Sequence, residues 1–164
     1  MIIINFFDFT FSGDIKITQS NAILRYLGRK YNLEGKTEQE KVRVDIMTEN
    51  AMDFRNGFVR LCYSSPENFE ARKPDYLKNL EPTLERFSSF LGDRPFFAAD
   101  SVTVADFHMY EMLYSHEKLD SALIAKFPNL IAFIARMEAL PRIAEFLKSE
   151  RSPKPMNNKM AAFK

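Results

Sequence analysis

The sequence contains few side chains that do chemistry on their own. It has one cysteine, Cys62, and two histidines, His108 and His116. A single cysteine excludes an intramolecular disulfide, a Cys-x-x-Cys redox centre and a cysteine-rich metal cluster. Neither histidine has an acidic or cysteine partner at the spacing of a metal site or a catalytic triad. We therefore assign no functional role to these three residues, and we expect no metal site.

A more informative pattern is the polar run Thr18-Gln19-Ser20-Asn21, which precedes a segment with helical apolar spacing. It predicts a helix with Ser20 as its N-cap residue and an end near Asn32. The first N–H groups of a helix are unpaired and the helix dipole is positive there, so such a start attracts carboxylates. Taken alone, the spacing favours a plain helix cap without a ligand.

The elements around this helix change from strand to helix along the chain. Residues 1–11 are rich in isoleucine and phenylalanine and predict one or two strands, and residues 15–17 predict a short alternating strand. Every later periodic segment predicts a helix. Thr37 and Glu40 form a capping box that opens a long helix to about Tyr63.

Prolines mark the helices of the second part of the sequence. Pro74, Pro128 and Pro141 suit the first position of a helix, and Pro82 is predicted to kink the helix that Pro74 opens. Residues 151–164 contain two prolines and predict an extended tail, and the mildly basic stretch 148–164 predicts that this tail is solvated.

A second capping box is formed by Thr103 and Asp106. We expect it to stabilise the helix that follows by about 1 kcal/mol and to have a structural role only. The change in pattern after Gly35 predicts two units: residues 1–34, which contain the strands, and residues 35–164, which are all helical. The fold class is therefore mostly α.

Composition restricts the partners. The chain has 23 basic and 22 acidic residues, so its net charge of +1 gives no reason to expect nucleic acid or an anionic membrane as a partner. No apolar run reaches the length of a membrane span. The first 11 residues are too short for a signal peptide and contain Asp8. The single cysteine fits a reducing, cytoplasmic setting.

From Gly13 to its end, the sequence resembles the mu class of cytosolic glutathione transferases. The resemblance is carried by ITQSNAILRYLGRKYNL, VRVDIMTENAMD, LCYSSPENFE, KPDYLKNLEP, FLGDRPFF, SVTVADF, KFPNLIAFIARMEALPRI and PKPMNNKMA. It implies a truncated thioredoxin-like α/β fragment over residues 1–34 and the family's all-α C-terminal domain over residues 35–164. It also implies conjugation of glutathione to hydrophobic electrophiles, as in detoxification, with glutathione as cosubstrate and no cofactor.

The resemblance implies roles for residues that look unremarkable alone. Gln19 and Ser20 match the residues that hold the γ-glutamyl carboxylate of glutathione. Asp53, by itself a solvated acid, matches a carboxylate that reaches the glutathione amino group of the neighbouring subunit. Tyr63 matches a tyrosine of the electrophile pocket, and Arg29 matches an arginine near the dimer axis. The implied partners are therefore glutathione, small electrophiles and a second identical or related subunit.

One part of the family pattern has no counterpart. Family members stabilise the glutathione thiolate with a tyrosine hydroxyl near the amino terminus, because a free thiol has a pKa of about 8.5. The first proline is Pro66, so the family's cis-proline, whose approximate place Asp8 occupies, is also unmatched. All tyrosines follow Gln19, namely Tyr26, Tyr31, Tyr63, Tyr76, Tyr110 and Tyr114.

We therefore expect no catalytic residue of the family in this chain, and conjugation that is slow. The alternative is a non-catalytic module, either a binder of apolar ligands or a dimer partner of a related subunit. A structural role of the lens type is a weaker third possibility.

Overall fold

One short β-hairpin precedes a set of helices. In the computed structural model of the chain, residues 9–11, 15–152, 157 and 159–163 are described. Strands β1 (Phe9–Phe11) and β2 (Ile15–Ile17) pair antiparallel, with residue 9 opposite residue 17. The strand predicted over residues 15–17 is confirmed. Of the segment predicted as one or two strands, residues 1–8 lie outside the described part.

Helix α1 (Ser20–Tyr31) follows β2 directly. Asn32 ends it in the left-handed conformation and donates its N–H to the carbonyl of Gly28, so the predicted end is confirmed. The predicted N-cap is wrong, because Gln19 is the N-cap residue and Ser20 is already helical. The positive φ of Gln19 turns the chain one residue earlier than the Ser20 pattern predicts.

Helix α2 (Glu38–Cys62) begins at the predicted capping box. The Glu40 N–H donates to the Thr37 hydroxyl at 3.2 Å, and the Glu40 carboxylate accepts from the Thr37 N–H at 3.0 Å. Gly35 has φ of +88°, and a Cβ there would lie 2.7 Å from the Glu40 Cβ, so only glycine fits this tight approach. The helix buries one apolar stripe, formed by Val44, Met47, Ala51, Phe54, Phe58 and Leu61.

Helix α3 (Pro66–Leu91) begins earlier than predicted. Ser65 is its N-cap and accepts from the Asn68 N–H at 3.3 Å, and Pro66 takes the first helical position. The prediction that Pro74 opens this helix is therefore wrong, because Pro74 and Pro82 both lie inside it. Both prolines are exposed, so water can satisfy the carbonyls that lack a proline N–H.

Helix α4 (Val104–Leu119) is the centre of the molecule. It packs against α1, α2, α5 (Ser121–Ile124) and α6 (Pro128–Glu138), and α7 (Pro141–Lys148) packs on α6. The predicted starts of α6 and α7 at proline are confirmed. Helix α5 was not predicted, since four residues are too few to show a period.

Residues 157 and 159–163, here called the C-terminal segment, pack against α2 and α3. Ala161 is buried, and the Ala162 N–H donates to the Cys62 carbonyl at 2.7 Å. The Phe163 ring lies 6.2 Å from the rings of both Phe58 and Phe69. The prediction of a solvated tail is wrong for this segment, because its apolar side chains cover the end of the core.

Candidate functional site

The start of α1 combines exposure with backbone strain. Gln19 has φ of 73° and ψ of 119°, outside the regions that residues with a side chain normally adopt. Such a conformation costs about 1–3 kcal/mol and occurs most often at binding or catalytic sites. The Gln19 side chain makes no capping hydrogen bond, and both Gln19 and Ser20 are exposed. These amide, hydroxyl and N–H groups are therefore available to a ligand.

Polar contacts fix this start on α2. The Asn21 amide donates to both carboxylate oxygens of Glu49 at 3.3 Å. Arg25 pairs with Glu49 and, at 3.4 Å, with Asp45. The hydrogen bond to Glu49 is the main cause that raises the pKa of Arg25. Arg25 was not predicted from the sequence, because its acidic partners lie 20 and 24 residues away and no local pattern joins them.

Arg29 lies on α1, one turn beyond Arg25. It is exposed and lines a hollow of about 290 Å³ between α1 and α2, beside Arg25 and Asp45. On α2, Val42 and Ile46 are 55% and 44% exposed. The exposed surface of α2 is therefore partly apolar.

Asp53 lies on α2 one turn after Glu49. It is exposed in a groove of about 290 Å³ between α2 and α3, which Asn50, Tyr76 and Arg86 also line. Within the described part of the chain it makes no ion pair. Its carboxylate is therefore free to meet a cation from another molecule.

Tyr63 lies at a separate opening between α2 and α4, which we call the Tyr63 cavity. The cavity holds about 300 Å³, and Tyr63 at the C-cap of α2 is 42% exposed. Four of its other lining residues are Arg55, Val59, Ser115 and Asn157. Arg55, Val59 and Tyr63 recur every four residues, so helical spacing offered a signal for the first two. Asn157 had none, because the tail was expected to be solvated.

His116 has no access to either opening. Its Nδ1 donates to the Met112 carbonyl at 2.6 Å, because a carbonyl only accepts, and its Nε2 accepts from the Tyr76 hydroxyl at 2.7 Å. The ring stacks on Phe54 at 3.9 Å. Burial lowers the pKa of His116 to about 4. The side chain is therefore neutral, fully paired and structural.

His108 differs from His116 in its hydrogen bonding. It is 7% exposed, and its buried Nδ1 has no hydrogen-bond partner in the described part of the chain. Burial lowers the pKa of His108, Arg55 lowers it further and Glu49 raises it. Cys62 is completely buried, and burial raises its thiol pKa to about 11, so it is not a nucleophile at neutral pH.

The Thr103–Asp106 capping box is part of the core. The buried Asp106 carboxylate accepts from the Phe97 N–H at 2.8 Å, the Thr103 N–H at 2.8 Å and the Thr103 hydroxyl at 2.7 Å. Burial raises the pKa of Asp106, and these hydrogen bonds oppose the rise. The carboxylate thus joins the loop before α4 to the first turn of α4.

Among residues 9–11, 15–152, 157 and 159–163, no group of three or more His, Cys, Asp or Glu side chains is placed to hold a metal ion. Within those same residues no helix has the length and apolarity that crossing a bilayer requires.

Known proteins share both sequence and fold with this chain. Residues 52–150 match the family model of the glutathione S-transferase C-terminal domain. The chain is 52% identical over 150 residues to glutathione S-transferase Mu 5 of Rattus norvegicus, covering 91% of this chain and 66% of that protein. It is 48% identical over 152 residues to glutathione S-transferase Mu 7 of Mus musculus, covering 92% of this chain and 69% of that protein.

A solved structure agrees with these relatives. The chain superposes on the Pi-class glutathione S-transferase of Onchocerca volvulus with a TM-score of 0.81 and 34% identity, over 91% of this chain and 73% of that one. The chain spans about two thirds of the length of its mu-class relatives, 66% for the rat protein. By family model, relatives and fold, the chain belongs to the glutathione S-transferase family and, within it, to the mu class.

Proposed function

We propose that this chain binds glutathione at the start of α1 and an apolar electrophile in the Tyr63 cavity, and that it conjugates the two slowly. The observation that carries the proposal is Gln19, a strained and exposed residue at a helix start. Strain of this kind persists only where the surrounding structure fixes it, and the Asn21–Glu49 contact holds this turn against α2.

The γ-glutamyl end of glutathione suits this helix start. Its carboxylate can accept from the Ser20 hydroxyl, the Gln19 amide and the unpaired N–H groups of the first turn. Charge-assisted hydrogen bonds of this kind are stronger than neutral ones, so a small exposed site still holds an anion.

The amino group of glutathione needs a carboxylate, and we assign it to Asp53 of a second subunit. Asp53 is exposed and unpaired within the described residues. We assign the exposed Val42 and Ile46 of α2, together with Arg29 of α1, to the face of a homodimer or of a heterodimer with a related subunit. A complete glutathione site therefore requires the dimer, and we place that dimer in the cytoplasm.

The Tyr63 cavity suits a small aromatic or aliphatic electrophile. Val59 and Met112 form apolar parts of the wall, and the Tyr63 hydroxyl can donate to a polar substituent.

Activation of the glutathione thiol is the step that we expect to be slow. No tyrosine precedes Gln19, so we expect conjugation to be about 10²- to 10³-fold slower than in a full-length mu-class enzyme, the usual effect of losing one oxyanion-type donor.

A second candidate function is a non-catalytic module that binds apolar ligands or dilutes a related subunit in a dimer. Two facts favour it: the chain has a buried helical core and an open cavity, whereas the family's thiol-activating tyrosine has no counterpart in the sequence.

The test combines retention on immobilised glutathione with conjugation of an aryl halide. We expect the chain to be retained and to conjugate slowly, and Ser20→Ala to weaken glutathione binding about tenfold, the loss of one hydrogen bond to a charged group. Ser89→Ala, which removes an exposed hydroxyl of α3, is the matched control. Flow-through of the unchanged chain with retained dye binding would favour the module instead, and turnover within tenfold of a full-length relative would refute the assigned thiol defect.

A further inference from the structure

We propose that the groove between α2 and α3 binds a free α-amino acid with an apolar side chain, through Asp53 at its ammonium group and Arg86 at its carboxylate. The inference goes beyond the proposed function, because the groove lies within one chain and binding there requires neither glutathione nor a second subunit. Asp53 is also assigned above to glutathione of a second subunit, so the site is tested with glutathione absent.

The first observation is that the groove has one acidic and one basic side chain in its wall. Asp53 lies on α2 and Arg86 on α3, and both are exposed residues lining the same opening of about 290 Å³. In the described part of the chain neither makes an ion pair, with the other or with a third residue. Both charges are therefore available to a ligand that carries their two opposites.

The second observation concerns the polar groups beside these charges. The Arg86 Nη2 donates to the hydroxyl of Thr83, another lining residue, at 3.0 Å, and the other N–H donors of the guanidinium remain for a carboxylate. The Asn50 amide donates to the Ile46 carbonyl at 2.8 Å, so its oxygen remains an acceptor for an ammonium group near Asp53. The groove thus offers acceptors on its α2 side and guanidinium donors on its α3 side.

The third observation is an apolar floor between the two polar walls. Phe54, Leu80 and Phe87 line the groove and belong to the buried core. The rings of Phe54 and Phe87 meet edge to face, with their centroids 5.2 Å apart. An aliphatic or aromatic side chain can pack against these rings.

The aromatic part of the groove is held in place by one buried imidazole. Tyr76 lines the groove, and its hydroxyl donates to the His116 Nε2 at 2.7 Å. Phe54 stacks on the same ring with the centroids 3.9 Å apart. His116 itself is completely buried and donates from Nδ1 to the Met112 carbonyl. Ordering this wall on binding therefore costs little, which favours a small ligand.

An α-amino acid matches the three observations together. Its ammonium group, carboxylate and side chain all extend from one carbon, so a single small molecule presents both charges and an apolar group. A phosphate or another simple anion would be repelled by Asp53, and a simple amine would leave Arg86 without a partner.

Glycine-selective nitrogen-15 NMR of the unchanged chain tests whether the ligand lies in the groove. Gly57 lines the groove, and Gly57→Ala assigns its signal, since the added Cβ would make an ordinary 3.8 Å contact with the Tyr76 ring. L-phenylalanine should shift the Gly57 signal with a dissociation constant on the order of 1 mM. Gly35 and Gly92 do not line the groove, and their signals should not move. An unmoved Gly57 signal at about twenty times that concentration would overturn the proposal.

Two analogues of L-phenylalanine test its two charges separately. 2-Phenylethylamine lacks the carboxylate, and 3-phenylpropionate lacks the ammonium group. Each should bind about tenfold more weakly than L-phenylalanine, because one charge-assisted interaction is lost. Equal affinity of L-phenylalanine and either analogue would show that the missing charge is not recognised, and would overturn the assignment of an amino acid.

Substitution of the two charged residues tests their roles. Arg86→Gln and Asp53→Asn should each weaken binding of L-phenylalanine about tenfold. Arg72→Gln and Asp75→Asn change exposed residues of α3 that do not line the groove, and these matched controls should bind like the unchanged chain. Equal affinity of Arg86→Gln and Arg72→Gln would overturn the role of Arg86, and equal affinity of the two aspartate variants would overturn that of Asp53.

The outcomes are independent of the proposed function. No measurement in this series contains glutathione, so failure of L-phenylalanine to bind leaves the glutathione proposal intact. Failure of the chain to be retained on immobilised glutathione would refute the proposed function and leave the amino-acid site unaffected.

Discussion

The start of α1 and the interface of α2 with α4 differ in whether their polar groups have hydrogen-bond partners. At the α1 start, Gln19 is exposed and strained, and its side chain caps nothing. At the interface, His116 is buried, stacked on Phe54 and bonded through both ring nitrogens. In one region polar groups are kept free at a cost in stability, and in the other each polar group of the ring is paired.

The difference separates the groups that hold the fold from those that can serve a ligand. A buried polar group is tolerated when it is paired, whereas a binding group must stay unpaired until the ligand arrives. His108 is buried like the groups of the interface, yet its Nδ1 has no hydrogen-bond partner among the residues that the structure describes. The comparison predicts that changes in the core alter stability, and changes at the α1 start alter binding.

The largest effect on stability is expected at Asp106. Asp106→Ala removes the acceptor of three hydrogen bonds and leaves the Phe97 and Thr103 donors unpaired in the core. We expect the free energy of unfolding to fall by about 3–5 kcal/mol, measured by urea denaturation. Asp106→Asn keeps one acceptor oxygen and should lose less. A loss of under about 1 kcal/mol for the alanine variant would show that the capping box is not part of the core network.

The second effect is the pH dependence that His116 causes. In the unfolded chain its imidazole binds a proton near pH 6.5, whereas in the native chain its pKa is lowered to about 4. As pH falls through this interval, the unfolded chain binds more protons, so the free energy of unfolding decreases. The contribution is complete above about pH 6.5, and about 3 kcal/mol of it is lost by pH 4.

Urea denaturation of the unchanged chain and of His116→Gln from pH 7 to pH 4 checks this. The variant should be less stable at pH 7 and should lose about 3 kcal/mol less than the unchanged chain across the interval. Other titrating groups are common to both proteins, so the difference isolates His116. Parallel pH curves would contradict the prediction.

The smallest effect is expected at Gln19, where stability and glutathione binding should change in opposite directions. It therefore tests most directly the distinction between groups that hold the fold and groups that bind a ligand. Gln19→Gly relieves a backbone strain of about 1–3 kcal/mol in the folded chain. The greater backbone freedom of glycine favours the unfolded chain by about 0.5–1 kcal/mol, which offsets part of this gain. We expect the variant to be more stable by about 1 kcal/mol and to bind glutathione more weakly. Gln19→Ala keeps the strain and loses only the amide. If the glycine variant lost stability, the backbone of Gln19 would not be strained.

Local patterns in the sequence predicted the helices well. The Thr37–Glu40 capping box, the Asn32 end of α1, and the proline starts of α6 and α7 all depend on groups within a few residues of one another. Such groups determine the local backbone whatever the tertiary structure is. For the same reason, the Thr103–Asp106 pair was visible in the sequence as a local pattern.

Patterns that depend on distant contacts were predicted poorly. Pro74 was expected to open a helix, but the Ser65 cap opens it first and the exposed side of α3 tolerates the proline. The C-terminal segment packs on Cys62 and Phe58, which lie far away in sequence. The division into residues 1–34 and 35–164 stays a prediction; across it, the Val104 N–H donates to the Leu33 carbonyl at 2.8 Å.

The candidate site was predicted by resemblance rather than by physics. Gln19, Ser20, Asp53 and Tyr63 have no shared spacing, and the structure spreads them over an exposed helix start, a groove and a cavity. Their roles toward glutathione and the electrophile remain predictions. The strain of Gln19 was not visible in the sequence, because it depends on backbone geometry. The buried Nδ1 of His108, unpaired among the described residues, was not visible either, because its surroundings come from other helices.

The two prolines of α3 have a consequence for how the molecule opens. A proline has no amide proton, so the turns of α3 that end at Pro74 and Pro82 each lack the hydrogen bond that the equivalent turns of α2 possess. Helices of 25 and 26 residues therefore differ in cooperativity. In native-state deuterium exchange, α3 should release its protons in separate blocks bounded by these prolines, whereas α2 should exchange as one unit.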